Sequence, residues 1–281
     1  MKYALLLFLV VFFGCSRTEI ITNIDLGNSA NAKLALFCLL TPADSIYAQI
    51  RQLRSVGDKK TRDQSITNAI VTLENTTTGK KIILRNAGNN LYNCAQKDFP
   101  VLAGNRYTIT ALVSGFPSVQ SACVVPTAAA TIENIFYGPP FKDVLSQRRR
   151  VELRWQDVSS VSKTFNYFVV ETYEYRQFNG QITQQTNVQL DENISTVEKN
   201  LFLNFETTES KTPHTFYLFT TENTVFEFYK MARKTEDTVR GVGTGDFFGA
   251  YQGIIPESTN IEGGYGIFGA YLRTQKTIEF Q

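Results

Sequence analysis

The chain has 281 residues, a formal net charge of +2, and a charged fraction of 19%, below the typical quarter. A charge so close to neutral provides no electrostatic surface for nucleic acid, so we expect no nucleic-acid partner. Phe, Tyr, Thr and Val are abundant and helical periodicity is scarce, which favours an all-β protein.

The N-terminal segment predicts an exported lipoprotein. An unbroken apolar stretch at residues 4–13 follows an early lysine. This stretch is far shorter than the roughly 20 residues that a membrane-spanning helix needs. Phe12-Phe13-Gly14-Cys15 resembles a lipobox, in which Cys15 is lipidated and becomes the first residue of the mature chain. Ser16 rather than Asp follows it, which favours the outer membrane; the alternative is an ordinary secretory signal that ends near a cysteine.

The next segments predict a tether and a β-sandwich. Residues 1–14 form the predicted signal peptide, and residues 15–33 are polar enough for a lipidated tether. Short apolar runs between turn residues then predict an immunoglobulin- or fibronectin-like β-sandwich over residues 34–134. The predicted strands are 34–40, 46–53, 69–74, 80–84, 90–94, 106–113 and 119–125.

Three cysteines remain once Cys15 carries lipid: Cys38, Cys94 and Cys123. An odd number in an oxidising compartment permits at most one disulfide within the chain. Cys94 with Cys123 is the candidate pair because both lie in the same predicted sandwich, and three buried free thiols are the alternative. The spacing matches no zinc or haem motif, so we expect no metal site and no cofactor.

Gly138-Pro139-Pro140 predicts a domain boundary, because neither proline can donate a ladder hydrogen bond. A second β-sandwich-like domain is expected over residues 147–281. Its first strand places Val151, Leu153 and Trp155 on one face, which predicts a core tryptophan. Arg148-Arg149-Arg150 precedes these residues and is interpreted as a solvated strand entry.

A hairpin and one helix are predicted in the second region. Asn179-Gly180 between residues 165–178 and 181–190 favours a type I′ turn. Residues 201–205 and 215–220 add strands. Thr224-Val225-Phe226-Glu227 resembles a capping box and apolar residues follow at helical spacing, which indicates a short helix, with a strand as the alternative.

Gly264, Gly266 and Gly269 satisfy the G-x-G-x-x-G spacing of dinucleotide-binding loops. That motif binds nucleotide only between a buried parallel strand and a helix, and no βαβ pattern surrounds it here. We therefore interpret all three as structural glycines that permit positive φ or close backbone approach.

No catalytic constellation is recognisable. His214, the only histidine, follows a proline in a polar segment and is predicted to be a surface residue. Glu171 and Glu174 have opposite parity along a predicted strand and should face opposite ways. We expect no enzymatic activity. Two tripeptides, Asp44-Ser45-Ile46 and Asp237-Thr238-Val239, resemble the O-glycosylation sequon of exported Bacteroidota proteins.

The C-terminal stretch 256–269 contains a Pro, an Asn-Ile pair, Gly-x-Gly and Phe-Gly in order. With the lipobox, Asn68-Ala69-x-Val71, Leu102-Ala103-Gly104-x-x-Tyr107 and Val125-Pro126, it resembles a Bacteroidota lipoprotein family catalogued as a domain of unknown function (family 4249). The resemblance covers most of the mature chain. It implies an outer-membrane lipoprotein that accompanies TonB-dependent-receptor-type barrels, with no established catalytic residues.

The resulting expectation is a non-catalytic, lipid-anchored accessory subunit of such a barrel, at the cell surface, working in uptake or envelope assembly. The alternative is a surface glycan-binding or adhesion module, which should display exposed aromatic side chains. A hydrolase would instead need a pocket with convergent titratable groups.

Overall fold

Strands make up most of the described part of the chain. The computed structural model describes residues 33–53, 66–139, 141–142, 147–159, 165–176, 181–190, 200–208, 212–238 and 259–279. The strands are β1 (Leu34–Leu40), β2 (Ile46–Gln52), β3 (Ile70–Asn75), β4 (Lys80–Ile83), β5 (Arg85–Gly88), β6 (Leu91–Cys94), β7 (Arg106–Leu112), β8 (Val119–Val124), β9 (Ile132–Tyr137), β10 (Phe141–Lys142), β11 (Gln147–Gln156), β12 (Asn166–Arg176), β13 (Ile182–Leu190), β14 (Asn200–Thr208), β15 (His214–Thr221) and β16 (Tyr265–Ile278). The helix is α1 (Asn223–Thr238), so the predicted β-rich fold with one short helix is confirmed.

The strands form three sheets. The long sheet has eight strands in the order β13-β12-β15-β16-β1-β2-β6-β5. The first small sheet has the order β4-β3-β7-β8, and the second small sheet has β11 between β14 and the pair β9 and β10. Both small sheets pack on one face of the long sheet, which gives two adjacent β-sandwiches.

The first sandwich places β1, β2 and β6 against the first small sheet. Leu34, Leu36, Cys38 and Leu40 of β1 point into this core, while Ala35 and Phe37 are buried on the opposite face. Because β1 is covered on both faces, its sequence is a continuous apolar run rather than an alternation.

The second sandwich packs β9 and β11 against β12 and β15. Val151, Leu153 and Trp155 are fully buried there, which confirms the predicted core tryptophan. The indole of Trp155 packs on the Tyr167 ring at a centroid distance of 5.8 Å. The alternation along β11 is therefore the pattern of a strand with one buried face.

Strand β16 belongs to both sandwiches. Its first part pairs parallel with β1, from Ala35↔Tyr265 to Leu40↔Ala270. Its second part pairs antiparallel with β15, from Thr221↔Tyr271 to His214↔Ile278. The predicted regions 34–134 and 147–281 stay a prediction, since β9 (Ile132–Tyr137) packs in the second sandwich and β16 joins both sandwiches in one sheet. The prolines at residues 139 and 140 indicate only the local conformation of the chain. They carry no information about the pairing of β16 with β1, which are far apart in the sequence.

Helix α1 packs on the face of the long sheet that the small sheets leave open. Phe228 contacts Phe37 at a ring-centroid distance of 6.3 Å. The helix begins earlier than the capping box predicted, because the Glu222 carbonyl accepts the first helical hydrogen bond from Phe226 N at 3.2 Å. Thr224 thus lies inside the first turn. Within the described residues, no helix has both the length and the apolar content to cross a membrane.

The predicted hairpin is present in its strands: β12 and β13 pair antiparallel down to Arg176↔Ile182. Its turn, Asn179-Gly180, lies outside the described residues. Strand β5 was not predicted, because its sequence, Arg-Asn-Ala-Gly, is exposed throughout and has no apolar alternation.

Candidate functional site

The predicted modification sites are only partly within the described residues. Cys15 lies outside them, so its lipidation stays a prediction. Ser45 is exposed in the turn between β1 and β2, as an acceptor hydroxyl must be. Thr238 is the last residue of α1.

The cysteine pairing differs from the prediction. Cys38, Cys94 and Cys123 are all buried free thiols, so the predicted Cys94–Cys123 disulfide is not made. Cys94 lies on β6 of the long sheet and Cys123 on β8 of the first small sheet. Burial raises the pKa of Cys38 to about 12. Burial, followed by the nearby Cys38, raises the pKa of Cys123 well above its ordinary value. The thiol that affects the pKa of Cys123 is therefore that of Cys38, on β1 across the first sandwich, and not that of Cys94.

The three motif glycines lie where a neighbouring strand or helix leaves no room for a side chain. A Cβ on Gly264 would stand 2.5 Å from the Leu34 carbonyl oxygen, and one on Gly266 would stand 2.0 Å from the Leu36 oxygen. Gly266 also has a φ of +112°. A Cβ on Gly269 would meet a Val225 methyl of α1 at 2.2 Å. This geometry agrees with the structural role predicted for these glycines, since they let β1 and α1 approach β16.

The segment just before β16 holds the two sheets of the first sandwich together. Asn260 Nδ2 donates to the Phe268 carbonyl at 2.6 Å, and Phe268 N donates back to Asn260 Oδ1 at 3.0 Å. Glu262 forms a two-way backbone bridge with Gln120 of β8, and Ser121 Oγ donates to the Asn260 carbonyl at 2.7 Å. Hydrogen bonds to the main chain therefore explain why Asn260 and its neighbours stand in the C-terminal motif.

His214 is not the surface residue that the sequence predicted. It is 0% exposed at the start of β15, where its Nδ1 lies 2.7 Å from Glu171 Oε1. The Tyr173 ring stacks on the imidazole at a centroid distance of 4.4 Å. Glu174 is exposed, so the predicted opposite orientation of Glu171 and Glu174 is confirmed. The polar residues before His214 made this segment resemble a loop. In β15, His214 lies two residues from the buried Phe216, so both side chains point to the same buried face.

The buried His–Glu pair does not form an open catalytic site. A general acid or base must come within hydrogen-bonding distance of its substrate. Glu171 is 1% exposed and His214 is 0% exposed, so neither meets that requirement in this conformation. Among the residues that the structure describes, no cluster of three His, Cys, Asp or Glu side chains could hold a metal ion.

One candidate surface, the arginine–aromatic face, comprises Phe136, Phe141, Arg150, Glu152 and Arg154 on the outer side of the second small sheet. Phe136 is 48% exposed, and the Arg154 guanidinium lies 4.8 Å from the centre of its ring. The Arg150 guanidinium lies 5.9 Å from the Phe141 ring centre, and Glu152 pairs with Arg154. The face exists because β11 buries its alternate residues in the core and turns these outward.

Arg149 departs from the predicted solvated run. It is buried, its Nη1 donates to the Gly138 carbonyl at 3.1 Å, and its guanidinium lies over the Tyr137 ring. Arg150 beside it is exposed. Strand alternation therefore separates two residues that the sequence had grouped as one basic run.

The second candidate is a cleft on the helix-bearing face of the long sheet, with a volume of about 460 Å³. We call it the aromatic cleft. The loop between β1 and β2 supplies one wall, and the floor comes from β15 and β16. Its lining residues are Leu39, Thr41, Asp44, Ser45, Tyr47, Phe219, Tyr271 and Arg273.

Charge in the aromatic cleft is balanced. Arg273 Nη2 lies 3.7 Å from Asp44 Oδ2, and its guanidinium lies 5.2 Å from the Tyr217 ring centre. Burial, and then the charge of Asp44, raises the pKa of Tyr271 to about 12, against the opposing effect of Arg273. The phenol therefore stays protonated at neutral pH and remains a hydrogen-bond donor.

The sequence did not reveal this cleft, since its residues come from distant parts of the chain. The sequence signal that could have revealed the cleft is the alternation of side chains along each strand. Phe219 on β15 and Tyr271 and Arg273 on β16 all lie on the face opposite the sandwich cores. Without the β15–β16 register, that shared face cannot be recognised.

Several solved structures show a weak likeness. The chicken CNTN1 FN1-FN3 domains match with 12% identity and a TM-score of 0.28, over 68% of this chain and 61% of that chain. The chicken interferon gamma receptor alpha chain matches with 8% identity and a TM-score of 0.22, over 68% of this chain and 90% of that chain. The chain thus spans less than two thirds of the CNTN1 structure's length.

No curated protein shows significant similarity to the chain. The family model described as a domain of unknown function (DUF4249) matches residues 21–277, which include every described strand up to β15 and nearly all of β16. The family resemblance stated from the sequence motifs is therefore confirmed, and the chain belongs to the DUF4249 family.

Proposed function

We propose that this protein is a non-catalytic lipoprotein that serves as an accessory subunit of an outer-membrane barrel of the TonB-dependent-receptor type, in uptake or envelope assembly. Lipid on Cys15 would hold it in the outer membrane at the cell surface. The observation that supports the proposal is the arginine–aromatic face, whose Arg150, Glu152 and Arg154 lie in the second predicted region, residues 147–281.

The composition of this face matches the centre of protein interfaces. Aromatic residues and arginine are enriched there, and they dominate the residues whose truncation weakens binding most. Phe136 and Arg154 are already stacked, so little side-chain freedom would be lost when a partner docks. A lipid tether also raises the effective concentration beside a membrane partner, which lets a modest interface stay occupied.

The test is a mild-detergent pull-down of the tagged, lipidated protein from native membranes, compared with an unrelated lipoprotein carrying the same tag. Phe136→Asp places a charge on the arginine–aromatic face. Ile83→Asp is the matched control, because Ile83 is 62% exposed on the first small sheet. We expect a barrel protein to be enriched with the wild type and Ile83→Asp, and lost with Phe136→Asp.

Two results would contradict this proposal. If no barrel protein is enriched over the unrelated lipoprotein, the accessory function is wrong. If Phe136→Asp retains the barrel as well as Ile83→Asp does, the arginine–aromatic face is not the contact surface.

A second candidate function, surface glycan binding or adhesion, is favoured by the aromatic cleft. Trp155 is fully buried and cannot contribute to an aromatic platform, but Tyr47 at the cleft is 43% exposed. Pockets that bind small molecules are mostly apolar with a few placed polar groups, and the cleft has that composition.

A further inference from the structure

The aromatic cleft has the size of a small-molecule site. Its volume of about 460 Å³ falls within the roughly 300–1,000 Å³ of known ligand pockets. The wall from the β1–β2 loop and the floor from β15 and β16 give it a defined shape. This volume suits one or a few ring-sized groups rather than a folded partner.

Ring–ring contacts hold the aromatic residues on the floor of the cleft in place. The Phe219 ring stacks on Phe168 at a centroid distance of 4.5 Å and an interplanar angle of 8°. Tyr271 packs on Phe219 at 5.2 Å. Since the floor rings are fixed before a ligand arrives, binding need not order them. Tyr47 adds an exposed ring at the rim.

The polar groups of the cleft select against ions. Asp44 supplies acceptor oxygens and Arg273 supplies donors, and the two charges lie close enough to cancel. An anionic ligand would be repelled by Asp44 and a cationic one by Arg273. A neutral ligand that both donates and accepts hydrogen bonds, and that also has an apolar face, fits Asp44 on the wall, Arg273 on the floor and the aromatic rings between them.

We infer that the aromatic cleft binds a neutral saccharide, with the C–H face of a sugar ring on Tyr47 and Tyr271 and its hydroxyls on Asp44 and Arg273. This inference rests on the second candidate function and is independent of the barrel partnership. It names a site and a ligand class for that function.

The test uses the full lipidated chain in a detergent without a sugar headgroup, because a glycosidic detergent would compete for the cleft. The probes are a microarray of neutral oligosaccharides of glucose, mannose and N-acetylglucosamine, with uronic-acid oligosaccharides on the same array. The best neutral probe is then titrated calorimetrically at low and high salt. Tyr47→Ala and Asp44→Asn alter the cleft, and Tyr137→Ala is the matched control, because Tyr137 is a similarly exposed tyrosine outside the cleft.

We expect a neutral oligosaccharide to bind with an affinity that salt does not change, since no net charge is neutralised. Tyr47→Ala should weaken binding roughly three- to tenfold, the range expected from losing one aromatic contact. Asp44→Asn should gain binding to uronic-acid probes because the Arg273 charge is then uncompensated. Tyr137→Ala should bind as the wild type does, and unchanged melting temperatures would show that each variant is folded.

Three outcomes would overturn the inference. If no saccharide binds, both the site and the glycan-binding function are wrong. If a saccharide binds but neither Tyr47→Ala nor Asp44→Asn alters its affinity, the function stands and the site is wrong. If Tyr47→Ala instead abolishes barrel enrichment in the pull-down, the cleft holds a partner side chain rather than a sugar.

Discussion

His214 Nδ1 lies 2.7 Å from Glu171 Oε1 in the interior of the second sandwich. A buried polar group loses its contacts with water, and the hydrogen bond between these two residues offsets part of that loss. Such a pair holds β12 and β15 in register at the end of the sandwich opposite Trp155. Its presence makes the interior at that end polar.

Replacing Glu171 should therefore destabilise the protein. Glu171→Leu removes the carboxylate that lies 2.7 Å from His214 Nδ1 and should lower the free energy of unfolding by about 1–3 kcal/mol, the cost of losing a buried hydrogen bond. Glu174→Leu on the same strand faces solvent and should change it by less than about 0.5 kcal/mol. Chemical denaturation measures both. Equal effects of the two variants would show that the buried pair contributes nothing specific.

Gly266→Ala should be among the most damaging substitutions in the chain. The new Cβ would stand 2.0 Å from the Leu36 carbonyl oxygen, so β1 must move away from β16. We expect a loss of at least about 3 kcal/mol in unfolding free energy, from backbone strain and displacement together.

Gly79→Ala is the control for that experiment, because Gly79 has a φ of +75° and no atom within 4 Å of a new Cβ. Gly79→Ala introduces backbone strain without a steric clash, so it should lower the free energy of unfolding by about 1–2 kcal/mol. Thermal melting of both variants separates strain from steric contact. A Gly266→Ala variant that melts like Gly79→Ala would mean that β1 and β16 are not so close.

The cysteines should differ in reactivity. Only the thiolate is nucleophilic, and burial raises the pKa of Cys38 to about 12, so at pH 8 almost none of it is ionised. Burial also raises the pKa of the Cys123 thiol, well above its ordinary value. Cys94 is also buried, and burial raises the pKa of its thiol too, but Cys94 lines a small cleft beside Tyr47 through which a small reagent should reach it first.

We therefore expect iodoacetamide at pH 8 to modify Cys94 first, and Cys38 and Cys123 only after unfolding. Mass spectrometry of tryptic peptides measures the order. If a Cys94–Cys123 disulfide forms in the mature protein after all, neither residue will be alkylated without a reductant, and that result would contradict the free thiols.

The lipidation prediction has a direct test. Intact-mass analysis of membrane-extracted protein should show an acylated N-terminus at Cys15. Cys15→Ala should release the protein from the membrane or leave the signal peptide uncleaved. Cys15→Ala protein that remains anchored and correctly processed would rule out the lipobox interpretation.

Local pattern was enough to predict most strands. Strand β1 appears at the predicted residues because a seven-residue apolar run between turn signals is too short for a typical helix. Trp155 is buried because the alternation along β11 fixes which face its side chain is on. What local pattern could not supply is pairing between distant strands. The position of β16 beside β1 depends on contacts across the whole chain, and the aromatic cleft depends on that position.

His214 shows the same limit on a smaller scale. Its neighbours Thr212 and Pro213 are polar or helix-breaking, so the segment resembled a loop. The strand in fact begins at His214, and only the partner strand β12 reveals that its side chain points inward at Glu171. Boundaries of elements are where sequence patterns carry the least information.

The placement of β16 between β15 and β1 has a consequence for how the chain folds. Contacts between segments so far apart in sequence give a high contact order, which slows folding because a long loop must close first. Until β16 is available, β1 and β15 each present a bare hydrogen-bonding edge, and neither sandwich has its full core. The core of the first sandwich includes Phe268, Ala270 and Leu272 of β16, so it can be completed only after this late segment of the chain has been synthesised and has paired with β1.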